Sequence, residues 1–157
     1  MILCLTALLL LFTACEKTCS VKKPKDVKPI DWENYNDVYT VYWNYSSVYS
    51  KRKQEDEGKI IKISGWITQH SPPNANLFAL CDDSKYAIRS SGYKTSPPIM
   101  HIDGYFVPGL QAMLDSCDLT KKCFIKGKLG FREIPSGFCT GAMPIIEITD
   151  INDIYFD

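Results

Sequence analysis

Lys121-Lys122-Cys123-Phe124-Ile125-Lys126-Gly127-Lys128-Leu129-Gly130-Phe131 is the stretch that decides the fold. Cys123, Ile125, Gly127, Leu129 and Phe131 fall on one side, and Lys122, Phe124, Lys126 and Lys128 on the other. A period of two places successive side chains on opposite faces of a strand. One face is built for a core and the other for water. Residues 59–68 repeat the arrangement: Ile61, Ile63, Gly65 and Ile67 share one face, Lys62, Ser64 and Trp66 the other. Each apolar face carries a glycine, and a strand glycine marks a bend or a close backbone approach. Small barrels need such bends to close.

Shorter elements lie around these two strands. Leu77-Phe78-Ala79-Leu80-Cys81 reads as a short apolar strand ended by Asp82-Asp83, with Tyr86-Ala87-Ile88-Arg89 as its hairpin partner. Residues 100–106 hold another short strand. Pro108 opens a helix at a first-turn position, where its missing N–H costs nothing. Leu110, Met113, Leu114 and Cys117 follow at helical spacing. Lys121 and Lys122 lie just past its end, where cations suit the helix dipole. After a loop over 134–143, residues 144–150 form the closing strand, with a kink near Asp150 and a short continuation over 151–156.

Upstream, residues 31–49 read DWENYNDVYTVYWNYSSVY. Trp32, Tyr35, Tyr39, Tyr42 and Trp43 recur at steps of three or four, which favours an amphipathic helix. Tyr39, Val41, Trp43 and Tyr45 also alternate, and their content favours a strand. The helix is taken forward, with Asp31 as its N-cap, and the strand stays open beside it.

The N-terminus bears on the compartment. Residues 1–14, MILCLTALLLLFTA, are apolar without a charge. As a helix they span about 21 Å, short of a bilayer core of about 30 Å, so a signal segment fits better than a membrane span. Phe12-Thr13-Ala14-Cys15 resembles a bacterial lipobox, with Phe12 where Leu is usual. The resemblance implies cleavage before Cys15 and a diacylglyceryl group on it, which would anchor the chain by burying methylenes in lipid. An ordinary cleaved signal is the alternative. Lys17, Lys22, Lys23, Lys25 and Lys28 with Pro24 and Pro29 cannot build a core and read as a tether. The expected organisation is a signal over 1–14, lipidated Cys15 and tether over 15–30, and one domain over 31–157. The expected location is the cell envelope, anchored at the outer membrane.

Strand, hairpin, helix, long alternating strand and final strand, in that order, resemble the OB-fold, a five-stranded Greek-key barrel with a helix between its third and fourth strands. More narrowly, the tyrosine-rich lead-in, the GKIIKISGWI segment, KKCFIKGKL and the closing IIEITDINDIYF resemble small OB-fold-like (tRNA_anti-like) lipoproteins of Bacteroidota. The resemblance covers about residues 32–156 and implies a mainly β fold with one or two helices and an aromatic-rich lead-in. It brings no catalytic residues with it, and OB-folds serve many functions.

Lys+Arg and Asp+Glu both total 18, so no net field draws the chain to nucleic acid. With Cys15 lipidated and Cys4 removed, five cysteines remain: Cys19, Cys81, Cys117, Cys123 and Cys139. An exported protein permits disulfides, but five is odd. Buried thiols acting as small hydrophobes stand against a bridge among Cys81, Cys117, Cys123 and Cys139. No C-x-x-C or paired-His spacing supports a metal site, and no cofactor is expected. His70 and His101 read as loop residues, and His101-Ile102-Asp103 as a solvated histidine beside an acid. The adjacent Asp82 and Asp83 point opposite ways on a strand, against shared acid–base work. Trp66, Phe124, Lys62, Lys126 and Lys128 share the outer faces of the two long strands. They form either a ligand surface or a minor core under the aromatic lead-in. The expectation is a non-enzymatic module with a protein or carbohydrate partner in the envelope; the alternatives are a nucleic-acid- or oligosaccharide-binding OB protein, nucleic acid being disfavoured, and, behind both, a thiol- or His-dependent enzyme.

Overall fold

The computed structural model describes residues 24–45, 55–69, 78–82, 99–104, 106–136 and 139–157. The expected signal, Cys15, Cys19, His70, Asp83 and the hairpin partner at 86–89 lie outside them, as does the side chain of Cys139. Among the described residues, the elements follow in the order β1 (Asn36–Asp37), α1 (Val38–Tyr45), β2 (Ile60–Gln69), β3 (Phe78–Cys81), β4 (Ile99–Asp103), α2 (Leu110–Asp115), β5 (Lys122–Ser136), β6 (Cys139–Glu147) and β7 (Ile154–Phe156).

Five of the strands close on themselves. β2 pairs antiparallel with β3, β3 with β4, β4 parallel with β6, β6 antiparallel with β5, and β5 antiparallel with β2. A closed circuit of this order, with α2 between the third and fourth barrel strands, is the OB-fold. β1 and β7 are short additions outside the circuit, on β2 and β5. β3 finds its partner in β4 among the described residues.

The alternation sets the inside. Ile61, Ile63 and Ile67 of β2 and Cys123, Ile125 and Leu129 of β5 are buried, with Leu80, Met100, Ile102 and Ile146 completing the core. Each such aliphatic side chain contributes about 1.5–3 kcal/mol by leaving water. Val38, Val41 and Tyr45 of α1 and Leu110 and Leu114 of α2 join the same cluster.

The two glycines sit where long strands change partners. Lys128 pairs with both Ile60 of β2 and Glu147 of β6, and Gly127 directly precedes it. A Cβ at Gly127 would lie 2.6 Å from the Glu147 carbonyl oxygen. Trp66 likewise pairs with both Cys81 of β3 and Lys122 of β5, and Gly65 precedes it. A Cβ there would lie 2.8 Å from the Cys81 carbonyl oxygen. Both glycines therefore let one backbone pass close over another at the barrel's corners.

Three expectations need correction. The helix starts at Val38, and its N-cap is Asp37, whose Oδ1 accepts from the Thr40 N–H at 2.6 Å. The Asp31 carboxylate is occupied by the turn before it, accepting from the Glu33 and Asn34 N–H groups. The loop expected over 134–143 is largely strand, with Ile134↔Gly141, Pro135↔Thr140 and Ser136↔Cys139 still paired. The ladder carried in from Leu129↔Ile146 outweighs the low strand propensity of Pro135 and Gly141. α2 opens at Leu110 rather than Pro108, behind Gly109 in the left-handed region at φ 80°. The kink at Asp150 is a one-turn 3-10 helix over Ile151–Asp153, capped by the Asp150 carboxylate accepting from the Asn152 N–H.

The last residues assigned to the tether touch the domain. Asn44 Nδ2 donates to the Lys28 carbonyl at 2.8 Å, and Ile30 packs against the core.

Candidate functional site

The outer faces of β2 and β5 are neighbours by register. Trp66 stands opposite Lys122, Ser64 opposite Phe124, and Lys62 opposite Lys126. β7 adds Tyr155 beside Phe124, and β1 adds Asp37 beside Ser64. One outward surface thus carries side chains from four strands.

Its middle is covered. Phe124 stacks on Tyr155 with ring centroids 4.8 Å apart and planes 3° from parallel. The edge of Tyr35, from the lead-in, meets Phe124 at 5.3 Å and Tyr155 at 6.1 Å. Such pairs are worth about 0.5–1.5 kcal/mol beyond their burial. Burial and the neighbouring Tyr155 hydroxyl push Tyr35 up to about 12. The lead-in also reaches Lys62, whose Nζ donates to the Glu33 carbonyl at 2.6 Å. Lys126 is held by Asp153 at 3.3 Å, and Lys128 is exposed at the far end of the strand. The proposed surface set therefore splits: Phe124 is packed by tyrosines, and Lys62 and Lys126 have partners.

The open part lies at the Trp66 end. A groove of about 440 Å³ is lined by Asp37, Tyr39, Ser64, Trp66, Asp82 and Lys122. Trp66 packs with Cys81 and Ile99 in a small cluster apart from the main core. The Lys122 ammonium stands 5.4 Å from the Trp66 ring centroid and 5.7 Å from that of Phe124, near enough for cation–π attraction.

Asp82 reaches this groove from the end of β3. Its carboxylate accepts from the Val38 N–H at 2.7 Å and from the Tyr39 N–H. It thus joins Asp37 in satisfying the first turn of α1, whose N–H groups lack intrahelical partners. Burial is the dominant influence on Asp82 and pushes its acid up to about 6, against those two hydrogen bonds. Asp37 pushes the same way and Lys122 pulls it down.

The other candidates lie elsewhere. No disulfide joins Cys81, Cys117 and Cys123 to one another. Cys81 shares the outer face with Trp66, and Cys123 faces the core opposite Gly65, so the sheet separates them. Burial pushes the Cys123 thiol up to about 12 and raises Cys117 as well. His101 is a buried strand residue of β4, not a loop residue. The Asp103 carboxylate two residues on accepts from Arg132 Nη2 at 3.2 Å. Among the described residues, no cluster of three or more His, Cys, Asp or Glu could hold a metal ion.

Ser64 and Lys122 belong to the same outward alternation as Trp66 and Phe124, so the sequence carried their signal. Tyr39 and Asp82 stood out only as part of the aromatic lead-in and as one of two adjacent acids, and no local signal brought them or Asp37 to this groove: Val38 and Asp82 meet across 44 residues of chain.

The strand circuit and this groove define an OB-fold barrel with an aromatic and acidic cleft beside its N-terminal helix. No family model and no curated protein matches the chain. Among solved structures it is similar to an SSB from Plasmodium falciparum in complex with ssDNA. That match has 15% identity and a TM-score of 0.40, and covers 62% of this chain and 93% of the other. It is also similar to a DUF3299 family protein from Pseudomonas aeruginosa PAO1, at 16% identity and a TM-score of 0.36, covering 66% of this chain and 64% of that one. The fold assignment rests on the strand order, not on these two.

Proposed function

We propose that this chain is a non-enzymatic binding module, held in the cell envelope by a lipid on Cys15, whose partner enters the groove between α1 and the Trp66–Lys122 pair. The groove carries this reading. It joins aromatic walls to polar groups fixed by backbone hydrogen bonds, as ligand sites do. The raised thiols of Cys117 and Cys123 are poor nucleophiles, which weakens a thiol-dependent enzyme. The partner is a protein or carbohydrate of the envelope, and the anchor is at the outer membrane. Metabolic labelling with a palmitate analogue tests the anchor. Label on the wild type and none on Cys15→Ala is expected; equal label on both would sink it.

A second reading is single-stranded nucleic acid. Lys62, Lys126 and Lys128 line the strand faces beside Phe124, and OB-folds bind such strands through basic grooves and aromatic platforms. Asp37 and Asp82 stand against it, since they would repel phosphate. Titration with a dT12 oligonucleotide at low salt decides: saturable binding supports nucleic acid, and none removes it.

A further inference from the structure

We infer that the groove takes a neutral sugar ring. The inference names the ligand class of the binding module proposed above and rests on that reading.

Shape comes first. About 440 Å³ falls within the range of small-ligand sites, roughly 300–1,000 Å³. Trp66 and Tyr39 supply flat apolar walls, and a pyranose has one face of C–H groups that covers such a ring. Trp66 is backed by Cys81 and Ile99, and the Cys81 thiol donates to the Trp66 carbonyl at 3.4 Å. The platform is therefore held from behind.

The polar groups then select among ligands. Ser64 is only 7% exposed, yet it lines the groove. Among the described residues its hydroxyl has no protein hydrogen-bond partner, so it is open to the groove and free to donate or accept there. Asp37 and Asp82 are acceptors fixed in place by the N–H groups of α1, with lone pairs to spare. Lys122 is a donor that forms no ion pair among the described residues. The site thus offers two acceptors, one donor and one group that is both. A phosphate would find the Lys122 ammonium and the Ser64 hydroxyl as donors, but beside two repelling carboxylates. An organic cation would find acceptors but also the Lys122 ammonium. Sugar hydroxyls donate and accept, so they can meet all four groups at once, with no net charge to place.

The test uses the full chain, labelled with ¹⁵N, in detergent. N-acetylchitotriose, maltotriose and xylotriose are titrated in turn, followed by dT12 and spermidine. At least one trisaccharide should shift the Trp66 indole N–H resonance, with a Kd of about 1 mM or tighter. Asp37→Asn keeps a capping side chain, and Lys122→Gln keeps the stem. Each should weaken binding about fivefold or more while the chain stays folded, with at most a small shift of the unfolding transition. The inference is overturned if no trisaccharide moves the Trp66 signal, if either variant binds as the wild type does, or if only dT12 or spermidine moves it. The two proposals fail separately. Unlabelled Cys15 leaves the sugar titration standing, and release of new reducing ends would end the non-enzymatic reading while upholding sugar binding.

Discussion

Adding one methyl group at Gly127 tests the barrel closure. The new Cβ would lie 2.6 Å from the Glu147 carbonyl oxygen and 2.8 Å from Ile146 Cγ1. Ordinary heavy-atom contacts begin near 3.5 Å, so one backbone must retreat by roughly 0.9 Å. Neither can do so freely. Glu147 pairs with Lys128 of β5 and Asp103 of β4, and the Ile148 N–H donates to the Asp103 carbonyl at 2.6 Å. Ile146 is fully buried. Overpacking of this kind costs about 1–3 kcal/mol, and a clash with backbone belongs at the upper end. Gly127 has no positive φ, so alanine also lowers unfolded-chain entropy and recovers about 0.4–1 kcal/mol. The net loss for Gly127→Ala is about 2–2.5 kcal/mol. Gly130→Ala is the internal control. Its Cβ would meet the Glu147 carboxylate Oε1 at 2.6 Å and Ile145 Cγ1 at 3.0 Å, and a side-chain terminus can swing away, so its loss is about 1 kcal/mol or less. Urea unfolding followed by circular dichroism reads the difference. With a slope of about 2 kcal/mol/M, the midpoint falls by about 1–1.3 M for Gly127→Ala and by under about 0.5 M for Gly130→Ala. Equal midpoints for the two variants would refute the corner assigned to Gly127.

Asp82 makes stability depend on pH in the direction opposite to most acids. Its folded pKa is raised from 3.8 to about 6, so its contribution is complete below about pH 4 and is lost as pH rises through 6, by at most about 3 kcal/mol. Wild-type stability measured against Asp82→Asn should therefore decline between pH 4 and 6.5, and parallel profiles would contradict this. Asp37→Ala removes the N-cap of α1 and should cost about 1 kcal/mol, while Asp37→Asn costs a few tenths; thermal melts of the pair check it. At pH 8 Cys123, raised to about 12, should resist a thiol reagent until the chain is unfolded in guanidinium, and rapid native labelling at that position by peptide mapping would refute its burial.

The barrel was legible because its two longest strands alternate cleanly and carry their own corner glycines. Alternation is a local signal, so β2 and β5 could be read residue by residue, and with them the shared outer face of Ser64, Trp66, Lys122 and Phe124. The lead-in was not legible for a physical reason. Its aromatic residues satisfy two periods at once, and what selects the helix is distant: the Asp82 carboxylate accepts from the Val38 and Tyr39 N–H groups. A helix of eight residues is marginal alone, so this contact fixes both where α1 begins and where the groove opens. The same cause moved the candidate site. Alternation placed Phe124 and the lysines on a wet face, but it cannot say that Tyr35 and Tyr155 lie over Phe124. What stays open is the stretch of that face beyond the reach of Tyr35. There the carboxylate that starts the helix also walls the cleft, so the residue that positions α1 and the residue best placed to meet a ligand are one and the same.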